Sequence, residues 1–298
     1  MRKDRLDATG VAGLLLSALL FGINQVAIKF VDDGLQPVFF AGLRSVGAFV
    51  CLWLWMRARG QRPRIAPGTA GAGLLVGLVF SAEFLFLFLA LDKTTVVRAS
   101  IIFYSMPVWL ALAAHLFLPG ERITRQKGLG LAIAFAGVAW ALAHRGGGGA
   151  DGQARLAGDL CALAAAFGWA GTAFMTRGSA MVRVKPDMQL LWMLGVSGPV
   201  LLGASMFFGP FVRDLQWVHV AALLFQIVVV VAFGFILWLW LLSVYPASTV
   251  SSFSFLTPLL SMGFGWLLLG EPVGTPVLMA SGLVAVGIVL IARAPRAG

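Results

Sequence analysis

Long apolar segments follow one another along nearly the whole chain, separated by only a few charged or turn-forming residues. A helix needs about 20 consecutive apolar residues to cross the hydrocarbon core of a bilayer. With 60% hydrophobic and 11% charged residues and a mean hydropathy of +0.93, the chain lies outside the range of water-soluble domains, which are about half apolar and a quarter charged. We therefore predict an all-α integral membrane protein with no separate soluble domain.

Charged or turn-rich breaks divide the chain into ten predicted transmembrane helices, because each apolar segment between them is about long enough to span a bilayer. The predicted spans cover residues 11–31, 37–56, 69–91, 96–118, 126–143, 156–176, 188–209, 216–242, 247–269 and 275–292.

Lys and Arg are distributed unevenly between the two sides of the predicted bundle. Loops on the side of the N-terminus carry 15 of the 22 Lys and Arg residues, the opposite loops carry four, and three lie within spans. Because cytoplasmic loops are enriched in these residues, both termini are predicted to be cytoplasmic. The same bias explains the net charge of +10, which could otherwise suggest nucleic acid. We expect a lipid bilayer, and no nucleic acid, as the partner.

An internal repeat is the most informative feature of the organisation. A proline falls in the middle of spans four and nine, a Gly-Glu pair follows each of these spans, and a Phe-Gly pair recurs in spans one and six. The paired positions are Pro107 and Pro258, Gly120-Glu121 and Gly270-Glu271, and Phe21-Gly22 and Phe167-Gly168. We predict two homologous halves, residues 1–145 and 156–298, joined by a Gly-rich linker at 146–155.

Each predicted half has five spans, an odd number, so the second half is expected to lie inverted relative to the first. Inverted repeats are a recurring architecture of secondary transporters, whose substrate site lies at the repeat interface near the bilayer midplane. The glycines at 146–149 lack the Lys-Ser or Lys-Thr that a phosphate-binding loop needs. No other nucleotide-binding signature is present, so no cofactor is expected and hydrolysis within this chain would not drive transport.

These landmarks, together with Arg44 in the sequence AGLRSVGAF of span two, resemble the EamA-repeat proteins of the drug/metabolite transporter superfamily. The resemblance covers essentially the whole chain. Sequences in spans three, four and six are similar to the amino-acid exporters of the YddG type: SAEFLFLFLAL, IIFYSMP and AAFGWAG. That similarity implies export of amino acids, including aromatic ones, across a bacterial inner membrane. A monomeric transporter would be compatible with this function.

Glu83 is the one acidic residue near the middle of a predicted span. An ionisable group in hydrocarbon is costly, so Glu83 should face a cavity or a partner. Counting residues places Arg44 at a similar depth on the adjacent antiparallel helix. Two interpretations stay open: a structural Arg44–Glu83 ion pair, whose disruption would destabilise the protein, or a role of Glu83 in binding substrate or a proton.

Other candidate substrate-binding residues are aromatic or uncharged and polar. Tyr104 and Trp169 are too deep to be interfacial anchors, and they either pack in apolar surroundings or line a cavity for an amphipathic substrate. Asn24 and a serine stripe on one face of span nine are predicted to line the same cavity, although such groups also join helices by hydrogen bonds. The serines of the stripe are Ser248, Ser251 and Ser252.

Pro107 and Pro258 each remove a helical hydrogen bond and favour a kink. We predict a hinge at each, with ordinary helix curvature as the alternative. No two His, Cys or carboxylate groups have metal-ligand spacing, so no metal site is predicted.

The sparse buried charge and the inverted repeat favour a transporter. An enzyme would need a nucleophile–base pair or a metal constellation, and Glu83 with Tyr104 is the one conceivable acid–base couple. We predict a secondary transporter, not an enzyme, that exports small amphipathic metabolites, amino acids above all, by alternating access through a central cavity. Efflux of other metabolites or drugs, a channel and a lipid scramblase are the alternatives.

Overall fold

The protein is an all-helical bundle, and its computed structural model describes residues 7–117, 123–144, 150–245 and 256–293. A 3-10 turn at Ala180–Arg183 follows α7, and a π-helical segment at Gln226–Phe233 joins α9 to α10. The helices are α1 (Ala8–Val31), α2 (Pro37–Ala58), α3 (Ala70–Lys93), α4 (Val96–Phe103), α5 (Met106–Phe117), α6 (Arg125–Ala143), α7 (Ala150–Gly178), α8 (Pro186–Ser205), α9 (Trp217–Phe225), α10 (Gly234–Val244), α11 (Leu256–Leu269) and α12 (Thr275–Arg293).

Eight helical segments of the described chain are long and apolar enough to cross a membrane. In this set, α4 and α5 form one segment at Val96–Phe117, and α9 continues through the π-helix into α10 as Trp217–Trp238. Two shorter apolar helices follow, at Leu256–Leu269 and Thr275–Ile291. The protein is therefore a multi-pass membrane protein, while the count of ten spans stays a prediction because span nine begins outside the described residues.

Helix starts follow from the local sequence. The Asp7 side chain accepts a hydrogen bond from the N–H of Gly10 at the start of α1, and Thr95 does the same for Arg98 in α4. Such side chains satisfy N–H groups that have no partner within the helix. Pro37 occupies the first turn of α2, where its missing N–H costs no hydrogen bond.

The outside of the bundle is apolar. On α3, Leu74, Leu75 and Leu78 are each about half exposed, whereas Phe80 and Leu87 on the opposite face are buried. Exposed apolar surface of this kind is unfavourable in water and is satisfied by lipid chains. The described helices thus bury one face in the bundle and present the other to hydrocarbon.

The segment predicted as span four is broken in its middle. Helix α4 ends at Phe103, α5 begins at Met106, and Pro107 lies in the first turn of α5. The hydroxyl of Ser105 donates to the carbonyl oxygen of Ile102 (2.6 Å) and accepts from the indole N–H of Trp109 (3.0 Å), which stabilises the break. A kink is therefore present at Pro107, and whether it moves remains a prediction.

Two helices differ in extent from the bounds expected from the sequence. The linker predicted at 146–155 is already helical from Ala150, since hydropathy does not reveal a helix that begins outside the apolar region. Span seven, predicted to reach residue 209, ends at Ser205 because the Gln36 side chain donates to the Ser205 carbonyl oxygen (2.7 Å). A helix end satisfied in this way needs no further turn.

Close helix crossings occur at the glycines of the repeated Phe-Gly pairs. A Cβ at Gly22 would lie 2.9 Å from the Leu260 Cβ, and one at Gly168 would lie 2.8 Å from the Glu83 Cα. Because glycine has no side chain, the backbone of α1 can approach α11 closely, and that of α7 can approach α3, which leaves no room for a larger residue at either position. The second crossing places α7 directly beside Glu83.

Candidate functional site

A central cavity of about 330 Å³ lies among the described helices. This volume is at the lower end of the range for small-molecule sites. Most of its wall is apolar, with aromatic side chains from α1, α3, α4, α7 and α10. They are Phe21, Phe80, Phe84, Phe103, Trp169, Phe235 and Trp238.

The cavity brings together four of the seven candidate substrate-binding residues predicted from the sequence. Asn24, Glu83, Tyr104 and Trp169 all line it, together with Arg44. Ser248, Ser251 and Ser252 lie outside the described residues, so the position of the serine stripe remains a prediction. That any of these residues binds substrate is likewise still a prediction.

Helical periodicity explains how α3 and α7 contribute to the wall. Side chains three, four and seven residues apart lie on one helix face. The α7 face consists of Trp169, Thr172, Ala173 and Thr176, and the α3 face of Phe80, Glu83, Phe84 and Leu87.

Sequence reasoning did not select Thr172 as a site residue. Thr172 lies three residues after Trp169, so helical spacing from that tryptophan indicates its position. Gln25 follows Asn24 in α1 and is buried, and the sequence alone does not show that it also lines the cavity.

Arg44 is buried in α2, with 3% of its surface exposed. Its guanidinium carbon lies 4.1 Å from the centroid of the Phe84 ring and 5.1 Å from that of Phe88. Its Nε atom has no hydrogen-bond partner among the described residues. Arg44 is therefore a buried cation held by aromatic faces at the cavity wall.

The direct Arg44–Glu83 ion pair considered from the sequence is not formed. No nitrogen of Arg44 lies within 4.0 Å of the Glu83 carboxylate, and the hydroxyl of Thr172 donates to Glu83 Oε2 (3.3 Å). The physical reason is that Arg44 stacks on Phe84 while Glu83 turns toward α7. The two charges still interact through space.

Uncharged polar side chains of α1 and of the π-helical segment are also buried in the bundle. The side-chain carbonyl oxygens of Asn24, Gln25 and Gln226 are buried and have no hydrogen-bond partner within the described part of the chain. Gln226, at the start of the π-helical segment, donates through Nε2 to the main-chain oxygen of Asn24 (3.1 Å). Buried polar groups are normally satisfied, so these three oxygens are exceptions to that pattern.

The bundle end at which α1 and α3 finish and α4 begins is called the distal end. Here the Lys29 ammonium donates to the main-chain oxygens of Leu91 and Thr94. Arg98 in α4 pairs with Asp159 in α7 through two contacts of 2.6 Å and 3.2 Å. These polar contacts tie α1, α3, α4 and α7 together.

The second Gly-Glu pair also acts at the distal end. Gly270 has φ +64°, a conformation that favours glycine, and it ends α11 so that Glu271 turns toward α4. The Glu271 carboxylate accepts hydrogen bonds from the N–H groups of Val96 (2.7 Å) and Val97 (2.8 Å). Glu271 thus caps the N-terminus of α4, where a negative charge is favourable. Glu121 lies outside the described residues.

A model of the EamA-like transporter family matches residues 8–143 and again residues 156–293. The chain belongs to this family. It is 26% identical to the uncharacterized transporter YoaV of Bacillus subtilis over 93% of its own length and 94% of that protein. It is 25% identical to a probable amino-acid metabolite efflux pump of Salmonella typhimurium, over 92% of this chain and 91% of the pump.

A solved crystal structure has the same fold. Its TM-score is 0.66 at 19% sequence identity, and the match covers 95% of this chain and 97% of the other. As a member of the EamA-like family with relatives named as transporters, the protein is a multi-pass membrane transporter.

Proposed function

We propose that this transporter exports amino acids, including aromatic ones, from the cytoplasm across a bacterial inner membrane. The observation that carries the proposal is the central cavity, in which aromatic walls surround the buried charges of Arg44 and Glu83. Aromatic walls suit an apolar side chain, and opposite charges suit the polar groups of an amino acid. A relative named as a probable amino-acid metabolite efflux pump supports the same substrate class.

The proposed architecture has ten spans in two inverted halves, residues 1–145 and 156–298, with both termini cytoplasmic. The family model matches each half separately, which supports the division. The helix packing agrees with a two-fold relation, since α2 packs against α8 and α6 against α12, each pair joining corresponding helices of the two halves. The excess of Lys and Arg on the N-terminal side supports the orientation.

Transport would proceed by alternating access. The cavity extends along α1 to Ala18 and Leu14, and along α7 to Thr176, which is the direction away from the distal end. With cytoplasmic termini, the cavity therefore extends toward the cytoplasm while polar contacts hold the distal end together. Movement about Pro107 and Pro258 would then separate the distal contacts and release substrate outside.

Flux into proteoliposomes that contain the purified protein tests the proposal. Vesicles preloaded with unlabelled tryptophan should accumulate labelled tryptophan by counterflow, with a rate that saturates as its concentration rises. Protein-free vesicles are the control for leakage. Vesicles that contain a labelled lipid are the control for lipid scrambling. Absence of saturable flux for every amino acid tested would contradict the proposed substrate, and non-saturable flux would indicate a channel.

A pH gradient tests whether Glu83 also carries a proton. If it does, wild-type flux should respond to the gradient, whereas Glu83→Gln flux should be the same with and without it. Wild-type flux that is unaffected by the gradient would contradict proton coupling and indicate facilitated export.

A further inference from the structure

The central cavity contains two opposite charges that face the same space without bonding to each other. Arg44 lies on α2 and Glu83 on α3, and both line the cavity. Glu83 has one hydrogen-bond donor among the described residues, the hydroxyl of Thr172 (3.3 Å). Arg44 Nε has no hydrogen-bond acceptor in the described part of the chain, and its guanidinium lies over the Phe84 ring.

Aromatic contacts alone do not satisfy Arg44. A cation–π contact stabilises a desolvated cation, but a charge in the middle of a membrane costs more than one such contact returns. Phe84 therefore offsets part of the cost at best. The guanidinium also keeps its planar set of donors, which matches a carboxylate in two-point contact.

The surroundings of Glu83 complement a cation in the same way. Besides its carboxylate, the uncharged polar residues Asn24 and Gln25 line the same cavity. An ammonium group has three donors and no acceptor, so it complements the Glu83 carboxylate, which accepts from Thr172 at 3.3 Å. Trp169 lies one helical turn before Thr172 on the same α7 face, which provides an aromatic surface beside this polar region.

We infer that the cavity is a zwitterion site in which Arg44 binds the substrate carboxylate and Glu83 with Thr172 binds its ammonium group. This inference rests on the proposed function and names the recognition chemistry of the same site. The site selects molecules that carry both charges and an apolar side chain. Molecules that carry only one of the two charges leave Arg44 or Glu83 buried without a partner, which is costly.

Competition against labelled tryptophan in the counterflow assay tests this inference with the wild-type protein alone. The competitors are unlabelled tryptophan, tryptamine, which lacks the carboxylate, and indole-3-propionate, which lacks the ammonium group. We expect each of the latter two to compete about 10- to 100-fold more weakly than tryptophan, as for loss of one charge-assisted interaction. Tryptamine or indole-3-propionate competing as well as tryptophan would overturn the inference while leaving the proposed function intact.

The variant Arg44→Gln tests whether Arg44 is the residue that binds the substrate carboxylate. In this variant the half-inhibitory concentration of tryptophan should rise about 10- to 100-fold, and that of tryptamine should not rise, so that the preference for tryptophan disappears. Ser45→Ala is the matched control, because Ser45 is the next residue of α2, is buried and does not line the cavity. A preserved preference in Arg44→Gln would overturn the assignment.

Folding and function are separated by two further measurements. If Arg44→Gln does not fold, Arg44→Lys keeps the charge but loses two-point contact, and it should show a smaller loss of the same preference. If the wild-type protein shows no saturable flux of any amino acid tested, the proposed function fails and the inference fails with it.

Discussion

Arg98 and Asp159 form a buried ion pair that joins α4 to α7 at the distal end. Arg98 Nη2 lies 2.6 Å from Asp159 Oδ2, and Arg98 Nε donates to Oδ1 at 3.2 Å. The Asp159 carboxylate also accepts from the hydroxyl of Thr94 (3.1 Å), and Arg98 Nη2 donates to the Ala141 main-chain oxygen (2.6 Å). Because both charges are almost fully satisfied, the pair fixes the position of α7 relative to the start of α4.

The first prediction concerns this pair. Asp159→Asn leaves Arg98 buried without a counter-charge, so we expect a loss of about 3–5 kcal/mol in unfolding free energy, measured by thermal unfolding in detergent. Asp92→Asn is the control, since it breaks the partly exposed Asp92–Arg213 pair (2.9 Å) and should cost no more than about 1 kcal/mol. Similar losses in both variants would contradict the structural role assigned to Asp159.

The second prediction concerns pH and Asp32, which follows α1 outside the spans. Burial raises the pKa of Asp32 well above its ordinary value, nearby Asp92 and Asp33 raise it further, and Lys29 and Arg213 lower it. Because its pKa is raised in the folded state, Asp32 holds its proton more tightly in the folded protein than in the unfolded chain. The stability that this provides is complete below the ordinary pKa near 3.9 and is lost as pH rises through the pKa of the folded state. Stability should therefore decrease over this interval.

Replacement of Asp32 should remove this dependence. Both of its carboxylate oxygens lack a hydrogen-bond partner among the described residues, so Asp32→Asn should stabilise the protein at pH 7 by roughly 1–3 kcal/mol and have little effect near pH 4. Exposed Asp33→Asn is the control. Thermal unfolding between pH 4 and 8 measures both, and parallel profiles for wild type and Asp32→Asn would refute the prediction.

The third prediction concerns the close packing of α6 and α12. A Cβ at Gly287 would lie 2.5 Å from the Gly130 main-chain oxygen and 2.6 Å from the Ala134 Cβ. Gly287→Ala should therefore separate the helices and cost about 1–3 kcal/mol. Gly282→Ala in the same helix has no atom within 4 Å of the added Cβ, and it should be neutral or stabilising by up to about 1 kcal/mol. Thermal unfolding distinguishes the two variants, and equal effects would count against the packing.

The fourth prediction concerns the aromatic wall. Trp169→Leu removes a stacking surface from the cavity, so the KM for tryptophan should rise roughly 3- to 10-fold, corresponding to about 1 kcal/mol of lost aromatic contact. The KM for alanine, which has no ring, should change much less. Trp266→Leu, at a position 60% exposed on α11, is the control. An equal rise for both substrates would argue against stacking on Trp169.

The fifth prediction concerns the break between α4 and α5. Pro107→Ala permits the helix to continue through this position, so a moving hinge should become stiffer and kcat for counterflow should fall roughly fivefold, or about 1 kcal/mol in activation free energy. KM should change little. Pro276→Ala is the control, because Pro276 is exposed in the first turn of α12, where proline is tolerated. Unchanged kcat in Pro107→Ala would indicate a static kink.

The role of the second Gly-Glu pair, Gly270-Glu271, follows only from the sequence and the tertiary structure together. Its recurrence was visible in the sequence, but its action is not, because the Glu271 carboxylate bonds to Val96 and Val97 about 175 residues away. Burial raises the pKa of Glu271, while the two main-chain N–H groups lower it. Only the folded arrangement of α11 and α4 places the carboxylate at that helix end.

The sequence by itself determined the class of protein and the bounds of most helices, because length and hydropathy of a segment are local properties that a bilayer selects directly. It also indicated that Asn24, Glu83, Tyr104 and Trp169 line a cavity, since polar or aromatic residues in the middle of apolar segments are few. It did not determine that Arg44 stacks on Phe84 while Glu83 turns to Thr172. That outcome depends on helix rotation and side-chain packing across three helices, and only the tertiary structure decides it.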